Sequence, residues 1–257
     1  MSLRGKVLLM CGAGPGVGRT VAALAAESGA EIALLARTRA TLEETAAIVT
    51  SKQSRALCLP TDVADPSAVR TAVDTMLQHF GRIDILVHSI LPPHLLKPVL
   101  DLTEEDLPSW RDSVSTSVFG ALTVSRAVAR TMISGAGGAI VFITATSALQ
   151  GYPAVSAHAA GKAGIHSLAQ CLASEWGPHG IRVNCVAPGV IDGATMTAAF
   201  PDAQRREGFA AEQAALNATR RMPTDMDVAQ AALFLASDTA AGITGQILAV
   251  DGGRFFH

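Results

Sequence analysis

The chain has 257 residues, a length that suits one large α/β domain spanning 1–257, and no linker divides it. Its formal net charge is only −2 and both signs are mixed along the sequence, which excludes the basic surface of a nucleic-acid-binding protein. No stretch approaches the roughly 20 apolar residues of a membrane span, and the four cysteines form no CxxC pair, so we expect a cytoplasmic protein with no membrane partner.

Short apolar runs alternate with helical patterns from the N-terminus onward. Seven of these runs are continuous rather than alternating, as in strands that are covered on both faces of a sheet. Helical patterns separate them, for example 18–29, which ends at a glycine, and 65–81, which opens with Asp-Pro. Strands that alternate with helices predict an α/β fold with a Rossmann-like, doubly wound parallel sheet of about seven strands. The predicted strands are 6–12, 31–37, 55–63, 83–89, 138–145, 181–189 and 245–253.

A glycine-rich stretch, CGAGPGVGRT, connects the first predicted strand with the first helix. Spaced glycines at this point let the chain turn tightly, let a pyrophosphate approach the backbone, and aim the helix N-terminus at the phosphate charge. We therefore predict dinucleotide binding here, with a purely structural turn as the alternative. The residues predicted to contact the cofactor in this stretch are Gly12, Gly14, Gly16, Val17 and Gly18.

The residues after the second and third predicted strands bear on which dinucleotide is bound. An NAD site places Asp or Glu after the second strand, but this chain has Arg37 there, with Arg39 close by. Because a guanidinium can pair with a 2′-phosphate, the sequence favours NADP(H) over NAD(H); the alternative is that both arginines are solvated loop charges. After the third strand, Asp62 is placed to bond the adenine amino group, beside Val63; the alternative for Asp62 is a surface-loop position.

The stretch 190–224 has the weakest pattern of regular structure in the chain. It follows the sixth predicted strand at its C-terminal end, where folds of this class place a segment that covers the substrate. We expect it to form a substrate loop or lid within the single domain. Phe200 and Phe209 are its only aromatic residues, so the sequence does not identify the substrate.

Six segments in a fixed order make the chain similar to the short-chain dehydrogenase/reductase family over essentially its whole length. The last two of these segments, at 176–191 and 220–253, are the most specific in residue identity and spacing. The resemblance implies a nicotinamide cofactor and hydride exchange with an alcohol or carbonyl group of a small-molecule substrate. The segments are CGAGPGVG, TDV, IDILVHS, GAIVFITATSALQGYPAVSAHAAGKAG, WGPHGIRVNCVAPGVI and RRMPTDMDVAQAALFLASDTAAGITGQILAVDGG.

Three of the four catalytic positions of that family differ in this chain. In the family a tyrosine transfers the proton of the substrate hydroxyl, and a lysine four residues later lowers the tyrosine pKa and binds the nicotinamide ribose. A serine polarises the carbonyl, and an asparagine on a helix holds a water in the proton relay. Here Lys162 matches the lysine, but His158 occupies the tyrosine position. The serine position is Ala145 and the asparagine position is Ser117.

Two residues are candidates to replace the tyrosine as proton donor. The imidazole of His158 can act as a general acid or base near neutral pH, and the Lys162 ammonium keeps it mostly neutral; alternatively, the ring only fills the volume of the tyrosine. Tyr152, the only tyrosine, either presents its hydroxyl to substrate from the loop after the fifth strand or packs as a pocket wall. Candidates for the missing serine hydroxyl are Thr144, Thr146 and Ser147.

The resemblance implies further cofactor contacts after the sixth predicted strand. Pro188 and Gly189, with Ile191 just beyond, match the family's turn around the nicotinamide carboxamide. A threonine is expected at the diphosphate, and either Thr195 or Thr197 can serve.

Three histidines are expected near the nicotinamide. His88 and Ser89 lie in the segment that replaces the family's Asn-Asn-Ala-Gly, and Ser89 is a predicted cofactor contact. His88 and His94 flank this region, and together with His158 they are candidates to converge. Their spacing is not that of metal ligands, so we predict no metal site.

The sequence supports one main hypothesis and two alternatives for function. The main hypothesis is an NADP(H)-dependent oxidoreductase acting on an alcohol or carbonyl with altered proton-transfer residues. One alternative is a catalytically impaired nucleotide-binding or regulatory protein, and the other is a non-redox lyase or isomerase on the same fold. The hydrophobic content of 49% and the alanine-rich stretches 117–132 and 156–176 suit packing between subunits, and the resemblance implies a homo-oligomer, namely a tetramer.

Overall fold

The sheet of the protein is parallel throughout. The computed structural model describes residues 2–256, and its strands are β1 (Val7–Cys11), β2 (Glu31–Ala36), β3 (Ala56–Pro60), β4 (Ile85–His88), β5 (Gly138–Ile143), β6 (Ile181–Pro188) and β7 (Ile247–Val250). They pair in the order β3-β2-β1-β4-β5-β6-β7, each pair parallel. The predicted fold class and all seven predicted strands are confirmed. Each strand is shorter than predicted, because the predicted ranges include turn residues at the strand ends.

Helices cover both faces of this sheet. They are α1 (Val17–Glu27), α2 (Arg39–Ser51), α3 (Pro66–Phe80), α4 (Leu107–Ser134), α5 (Ser156–Trp176), α6 (Ala194–Ala199), α7 (Ala203–Leu216) and α8 (Asp225–Ala236). Side chains of α3, α4 and α5 form one apolar core with the sheet, and those of α1, α2 and α8 form the other. Between residues 2 and 256, no helix combines the length and the hydrophobicity that crossing a membrane requires.

The central strands are apolar on both faces because both faces are covered. In β1, Leu9 and Cys11 point into the core beneath α3–α5, whereas Leu8 and Met10 point into the opposite core, and all four are fully buried. This double burial accounts for the continuous apolar runs in the sequence. The strand order reverses between β1 and β4, so the connections that leave these strands diverge and open a crevice at their C-terminal ends.

The ends of α1 and α3 follow the signals in the sequence. The Asp65 carboxylate accepts hydrogen bonds from the N–H groups of Ser67 and Ala68 at 2.8 and 3.2 Å, which caps α3. Gly81 follows α3 with a left-handed φ of 77°, and Gly29 follows α1 with a φ of 92°. Both predicted helices are confirmed.

The segment 190–224 holds more regular structure than the sequence predicts. It contains α6 and α7, and the carboxylate of Asp202 caps α7 by accepting a hydrogen bond from Arg205 N–H at 2.7 Å. No residue of α7 is buried. A helix without a buried face shows no apolar period in its sequence, and this is why the prediction missed it. The role of the segment as a lid stays a prediction.

Helices α4 and α5 pack closely on each other through small residues. A Cβ added at Gly161 would lie 2.8 Å from both Cβ and Oγ of Ser117, so this contact leaves no room for a side chain. Val118 approaches Gly164 as closely, with its Cγ2 at 2.7 Å from the position of a Cβ. Small residues in 117–132 and 156–176, which the sequence suggested for packing between subunits, therefore serve an interface within the chain.

Gly161→Ala is expected to lower the free energy of unfolding by about 1–2 kcal/mol, because overpacking against Ser117 outweighs the gain in helix propensity. Gly177→Ala is the matched control, since nothing lies within 4 Å of a Cβ at that position. We expect the control to change stability by less than about 0.5 kcal/mol. Urea unfolding followed by circular dichroism measures both, and Ser117→Gly should recover part of the loss. Equal stability of Gly161→Ala and the wild type would contradict the close contact.

Candidate active site

Two adjoining cavities open at the C-terminal ends of β1 and β4. The Arg37 cavity, of about 370 Å³, is lined by Gly14, Arg37 and Asp62 among others. The Lys162 cavity, of about 210 Å³, includes His158 and Lys162. Two connected cavities suit an elongated ligand with two halves, as a dinucleotide is. The wall that both share is formed by Gly12, Pro15, Ser89, Ile90 and Leu91.

The glycine loop in this wall admits no side chain at two positions. A Cβ at Gly12 would lie 2.5 Å from the carbonyl oxygen of Ser89, and a Cβ at Gly18 would overlap the carbonyl oxygen of Gly12. Gly12 and Gly16 also have left-handed φ angles of 91° and 94°. Gly14 differs, because a Cβ there would make only an ordinary contact at 3.7 Å. The chain therefore requires glycine at three of the four predicted positions.

The start of α1 gives this loop an electrostatic character. Helix α1 begins at Val17 after the N-cap Gly16, and Val17 and Gly18 both line the Lys162 cavity. The first turn of α1 has no acidic residue, so no carboxylate of that turn competes with a bound anion for the positive end of the helix dipole. Helix α2 braces the loop, because Thr45 Oγ1 donates a hydrogen bond to the carbonyl oxygen of Ala13 at 2.8 Å.

The two arginines after β2 differ in their surroundings. Arg37 is exposed and lines the Arg37 cavity, and no carboxylate of residues 2–256 lies within 4.0 Å of its guanidinium. Arg39 does not line the cavity and instead approaches Glu43 at 3.9 Å. Asp62 and Val63 line the same cavity, and Asp62 Oδ1 accepts a hydrogen bond from a backbone N–H two residues on at 3.0 Å. Their contacts with a cofactor stay predictions.

Lys162 is buried where β4, β5 and α5 meet. Only 3% of the residue is exposed, and Nζ donates hydrogen bonds to the carbonyl oxygens of Ile90 at 2.9 Å and Ile143 at 3.0 Å. Burial lowers the pKa of Lys162 to about 8, because the carbonyl groups replace only part of the lost hydration. An ammonium group has three N–H donors, so one remains for a ligand in the cavity.

His158 lies one helical turn before Lys162 and lines the same cavity. Burial, followed by the charges of Lys162 and His94, lowers the pKa of His158 to about 3. The ring is therefore neutral near pH 7, with one N–H donor and one acceptor nitrogen. The structure thus brings together the two residues that the sequence placed at the centre of the chemistry, and the catalytic role of His158 stays a prediction.

Tyr152 does not line the Lys162 cavity. Its ring packs edge-on against Phe255, with centroids 6.0 Å apart, and the Arg254 guanidinium lies 5.7 Å from its centroid. Burial raises the pKa of the Tyr152 phenol, and the Arg254 charge opposes that rise. The C-terminal segment of the chain therefore covers this tyrosine, and its contact with substrate stays a prediction.

Ser117 does not line the cavity either. It is buried in the interface between α4 and α5, and its Oγ donates a hydrogen bond to the carbonyl oxygen of Ser113 at 2.9 Å. Short hydroxyl side chains in helices commonly bond back to the preceding turn in this way. The hydroxyl is therefore directed along its own helix, and a role for Ser117 in proton transfer stays a prediction.

The family's serine position offers no hydroxyl, since Ala145 lines the Lys162 cavity. Thr144 lines it too, but its Oγ1 donates to a backbone carbonyl of β6 at 3.1 Å and contacts His166 Nε2 at 2.8 Å. Because the threonine proton is used in the first bond, His166 must donate the second. Thr146 and Ser147 do not line the cavity, and Ser147 Oγ is buried without a partner in the described chain.

The three histidines separate into a pair and a single buried ring. His94 lies against His158, with ring centroids 4.8 Å apart and planes inclined by 31°. His88 is fully buried edge-on to Phe142, and neither of its ring nitrogens has a partner among residues 2–256. Burial, and then the Lys162 charge, lowers the pKa of His88 to about 3. The part of the chain from 2 to 256 contains no cluster of three or more potential metal ligands.

The turn after β6 completes the Lys162 cavity. A Cβ at Gly189 would lie 2.8 Å from Asp251 Cβ, so the end of β7 fixes this turn. Thr197 bonds back within α6, where its Oγ1 donates to the carbonyl oxygen of Gly193 at 3.2 Å. Of the two threonines considered for the diphosphate, only Thr195 reaches the cavity. The lining residues from this turn are Pro188, Gly189, Ile191 and Thr195.

Asp225 was not predicted as a site residue, yet it lies beside the glycine loop. It is the first residue of α8, and its Oδ2 accepts a hydrogen bond from Ala194 N–H at 3.3 Å. A Cβ on Gly16 would lie 3.6 Å from Oδ1. Burial raises the pKa of Asp225, and the Ala194 N–H opposes that rise. The residue connects α6 and α8 to the glycine loop, and its position at a helix start is the only signal in the sequence.

The chain is similar to proteins that are named as dehydrogenases and reductases. A family profile described as Enoyl-(Acyl carrier protein) reductase matches residues 12–254. Short chain dehydrogenase/reductase astE of Aspergillus oryzae is 34% identical over 98% of this chain and 95% of its own. L-rhamnose 1-dehydrogenase (NAD(P)(+)) of a Sphingomonas species is 34% identical over 99% of this chain and 98% of its own. The crystal structure of NAD+-bound xylitol dehydrogenase matches with a TM-score of 0.90 at 29% identity, covering 98% of this chain and 100% of that one.

Lys162→Met is expected to change how stability depends on pH. The Lys162 pKa falls from 10.5 to about 8 in the folded protein, so the unfolded state binds more protons between these pH values. The wild type should gain stability relative to Lys162→Met as the pH rises through this range, by a few kcal/mol at most. Urea unfolding at stepped pH measures the difference, with Lys52→Met on the surface as the control. A pH-independent difference between wild type and Lys162→Met would contradict the buried charge.

Proposed function

Because the chain belongs to the short-chain dehydrogenase/reductase family, we propose that it is an oxidoreductase that interconverts an alcohol and a carbonyl group with a nicotinamide dinucleotide. The observation that carries this proposal is that the glycine loop, His158 and Lys162 all line one cavity. When bound, the cofactor supplies or accepts the hydride. The protein's own residues bind the cofactor, orient the substrate and move the proton.

The residues at the two cavities fit a dinucleotide. The glycine loop and the start of α1 would hold the diphosphate, because Gly12, Val17 and Gly18 line the Lys162 cavity at the N-terminus of this helix. Lys162 has a free donor for the ribose, and Asp62 an oxygen for the adenine amino group. We propose NADP(H) rather than NAD(H), since Arg37 lines the Arg37 cavity without a carboxylate partner in the described chain.

We propose that His158 takes the place of the family's tyrosine as a neutral hydrogen-bond donor. The ring donates its N–H to the carbonyl oxygen of the substrate, and the proton passes to that oxygen as hydride reaches the carbon. Neutral imidazoles polarise carbonyl groups in this way in other enzymes. The Lys162 ammonium stabilises the negative charge that the ring gains, and solvent returns the proton. A pKa of about 3 keeps the ring neutral near pH 7, so its N–H is available as a hydrogen-bond donor.

A second candidate function is a nucleotide-binding protein with impaired catalysis. Two observations favour it. Ala145 places a methyl group where the family has a hydroxyl, and the Ser117 hydroxyl is bonded to its own helix. The site then has one candidate proton donor to the substrate where the family has several. The experiment with His158 below distinguishes an active oxidoreductase from an impaired nucleotide-binding protein.

We propose a small-molecule alcohol or sugar as the substrate, because the relatives above include an L-rhamnose dehydrogenase and a xylitol dehydrogenase. We further propose a homo-oligomer, a tetramer, in the cytoplasm. Exposed apolar residues on α4, α8 and β7 support association, and the four free cysteines support a reducing compartment. The exposed apolar residues are Phe119, Leu122, Ile133, Phe234 and Leu248.

Arg37→Asp is expected to weaken NADPH binding by about tenfold or more, because the variant replaces a cation at the Arg37 cavity with an anion. NADH binding should strengthen, since a carboxylate at this position can accept bonds from ribose hydroxyls. Arg39→Asp is the matched control, because Arg39 does not line the cavity. Fluorescence titration gives both dissociation constants. Equal losses in the two variants would argue against a specific site for the 2′-phosphate.

His158→Ala is expected to lower kcat for carbonyl reduction by about 100-fold while leaving the NADPH dissociation constant unchanged. His158→Tyr should retain or restore turnover, and His179→Ala, on an exposed turn, is the control. NADPH oxidation with a panel of ketones and ketoses measures turnover. Full activity in His158→Ala would show that the ring only fills space. A wild type and a His158→Tyr variant that both bind NADPH without turnover would favour the impaired nucleotide-binding protein.

A further inference from the structure

His94 and His158 form a tilted pair of imidazole rings beside the Lys162 cavity, which His158 lines. Their centroids are 4.8 Å apart and their planes are inclined by 31°, within the range of offset aromatic contacts. The residues come from different elements, since His158 is on α5 and His94 is in the segment between β4 and α4. The His94 ring therefore lies directly against the His158 ring.

A hydrogen bond fixes the His94 ring in its place and in its tautomer. His94 Nδ1 lies 3.1 Å from the carbonyl oxygen of Pro92. A carbonyl oxygen can only accept a hydrogen bond, so Nδ1 must carry a proton. In the neutral ring Nε2 is then unprotonated. The ring presented to His158 is therefore held by the backbone two residues before it.

The segment that carries His94 is itself anchored on both sides of the site. Lys97 N–H donates to the carbonyl oxygen of Ala154 at 2.9 Å, which joins this segment to the loop before α5. Lys97 Nζ donates to Asp106 Oδ2 at 2.6 Å, next to the start of α4. The Lys97 ammonium, with backbone and hydroxyl donors of Thr103, lowers the pKa of Asp106 to about 2. These two contacts tie the segment that carries His94 to the loop before α5 and to the start of α4.

Two groups bear on the charge state of His158. Lys162 lies on its own helix, and His94 faces it from the neighbouring segment. Both oppose a proton on the His158 ring, after burial itself, and no carboxylate contributes in the opposite direction. Contact with His94 thus acts in the same sense as the buried lysine, by keeping the imidazole neutral.

We propose that His94 is a positioning residue, which holds the His158 imidazole in the orientation that faces the Lys162 cavity with an N–H free to donate. This inference rests on the proposed function for its kinetic consequence. The pairing of the rings does not depend on turnover and can be measured separately.

The experiment compares His94→Ala with His94→Phe in the full-length protein. Phenylalanine keeps a flat ring against His158 but removes the imidazole, whereas alanine removes the ring altogether. His79→Ala is the matched control, because His79 also lies against an aromatic ring, that of Phe80, but on α3. Proton NMR follows the titration of the His158 ring, assigned by its absence in His158→Gln, and steady-state kinetics gives kcat and KM.

In His94→Ala we expect kcat to fall by about tenfold or more with the NADPH dissociation constant unchanged, because His158 loses its orientation. In His94→Phe we expect kcat within about threefold of the wild type. The pH midpoint of the His158 ring should rise in both variants, since one opposing group is gone, and should rise further in His94→Ala, where water enters.

Two results would overturn the inference. The first is a loss of kcat in His94→Phe as large as in His94→Ala, and the second is a His158 titration that is the same in His94→Ala and the wild type. A wild type without turnover, combined with a His158 titration that responds to His94, would support the pairing while contradicting the proposed oxidoreductase activity.

Discussion

The burial of one ammonium group, that of Lys162, is the constraint on which the rest of the site depends. A charge in the interior needs polar partners. Here they are two carbonyl oxygens, that of Ile90 just beyond β4 and that of Ile143 at the end of β5. Parallel strands end at a common edge, so a sheet of this kind can supply both oxygens to one side chain. Burial lowers the pKa of each imidazole near this ammonium, and the charge of Lys162 lowers it further. These are His88, His158 and His166.

The same lysine has a different effect on a histidine than on a tyrosine. Beside a phenol, a positive charge favours the anion and makes the phenol a stronger acid. Beside an imidazole, it removes the basic character of the ring and leaves a neutral donor. The substitution at position 158 therefore changes the kind of acid–base chemistry available while the lysine stays in place. Ala145 lines the same cavity without a hydroxyl, and the hydroxyl of Ser117 is bonded within its own helix.

Features that depend on local sequence could be predicted, whereas those that depend on distant segments could not. The continuous apolar runs predicted all seven strands. The glycine spacing predicted the loop, where Gly12 approaches the carbonyl oxygen of Ser89 and Gly18 approaches that of Gly12. Helix α7 escaped prediction because it buries no face. The packing of Phe255 against Tyr152 depends on the path of the C-terminal segment. The contact of His94 with His158 depends in the same way on the path of the loop after β4. Neither path leaves a periodic pattern in the sequence.

The loop that carries His94 has little conformational freedom even before anything binds. Pro92, Pro93 and Pro98 each fix a φ angle, so much of the order in this segment is built into its covalent structure. Pro92 and Pro93 line the Arg37 cavity, so a ligand that enters this cavity meets a wall whose backbone is already restricted. The entropic cost of association on this side of the cavity is correspondingly small.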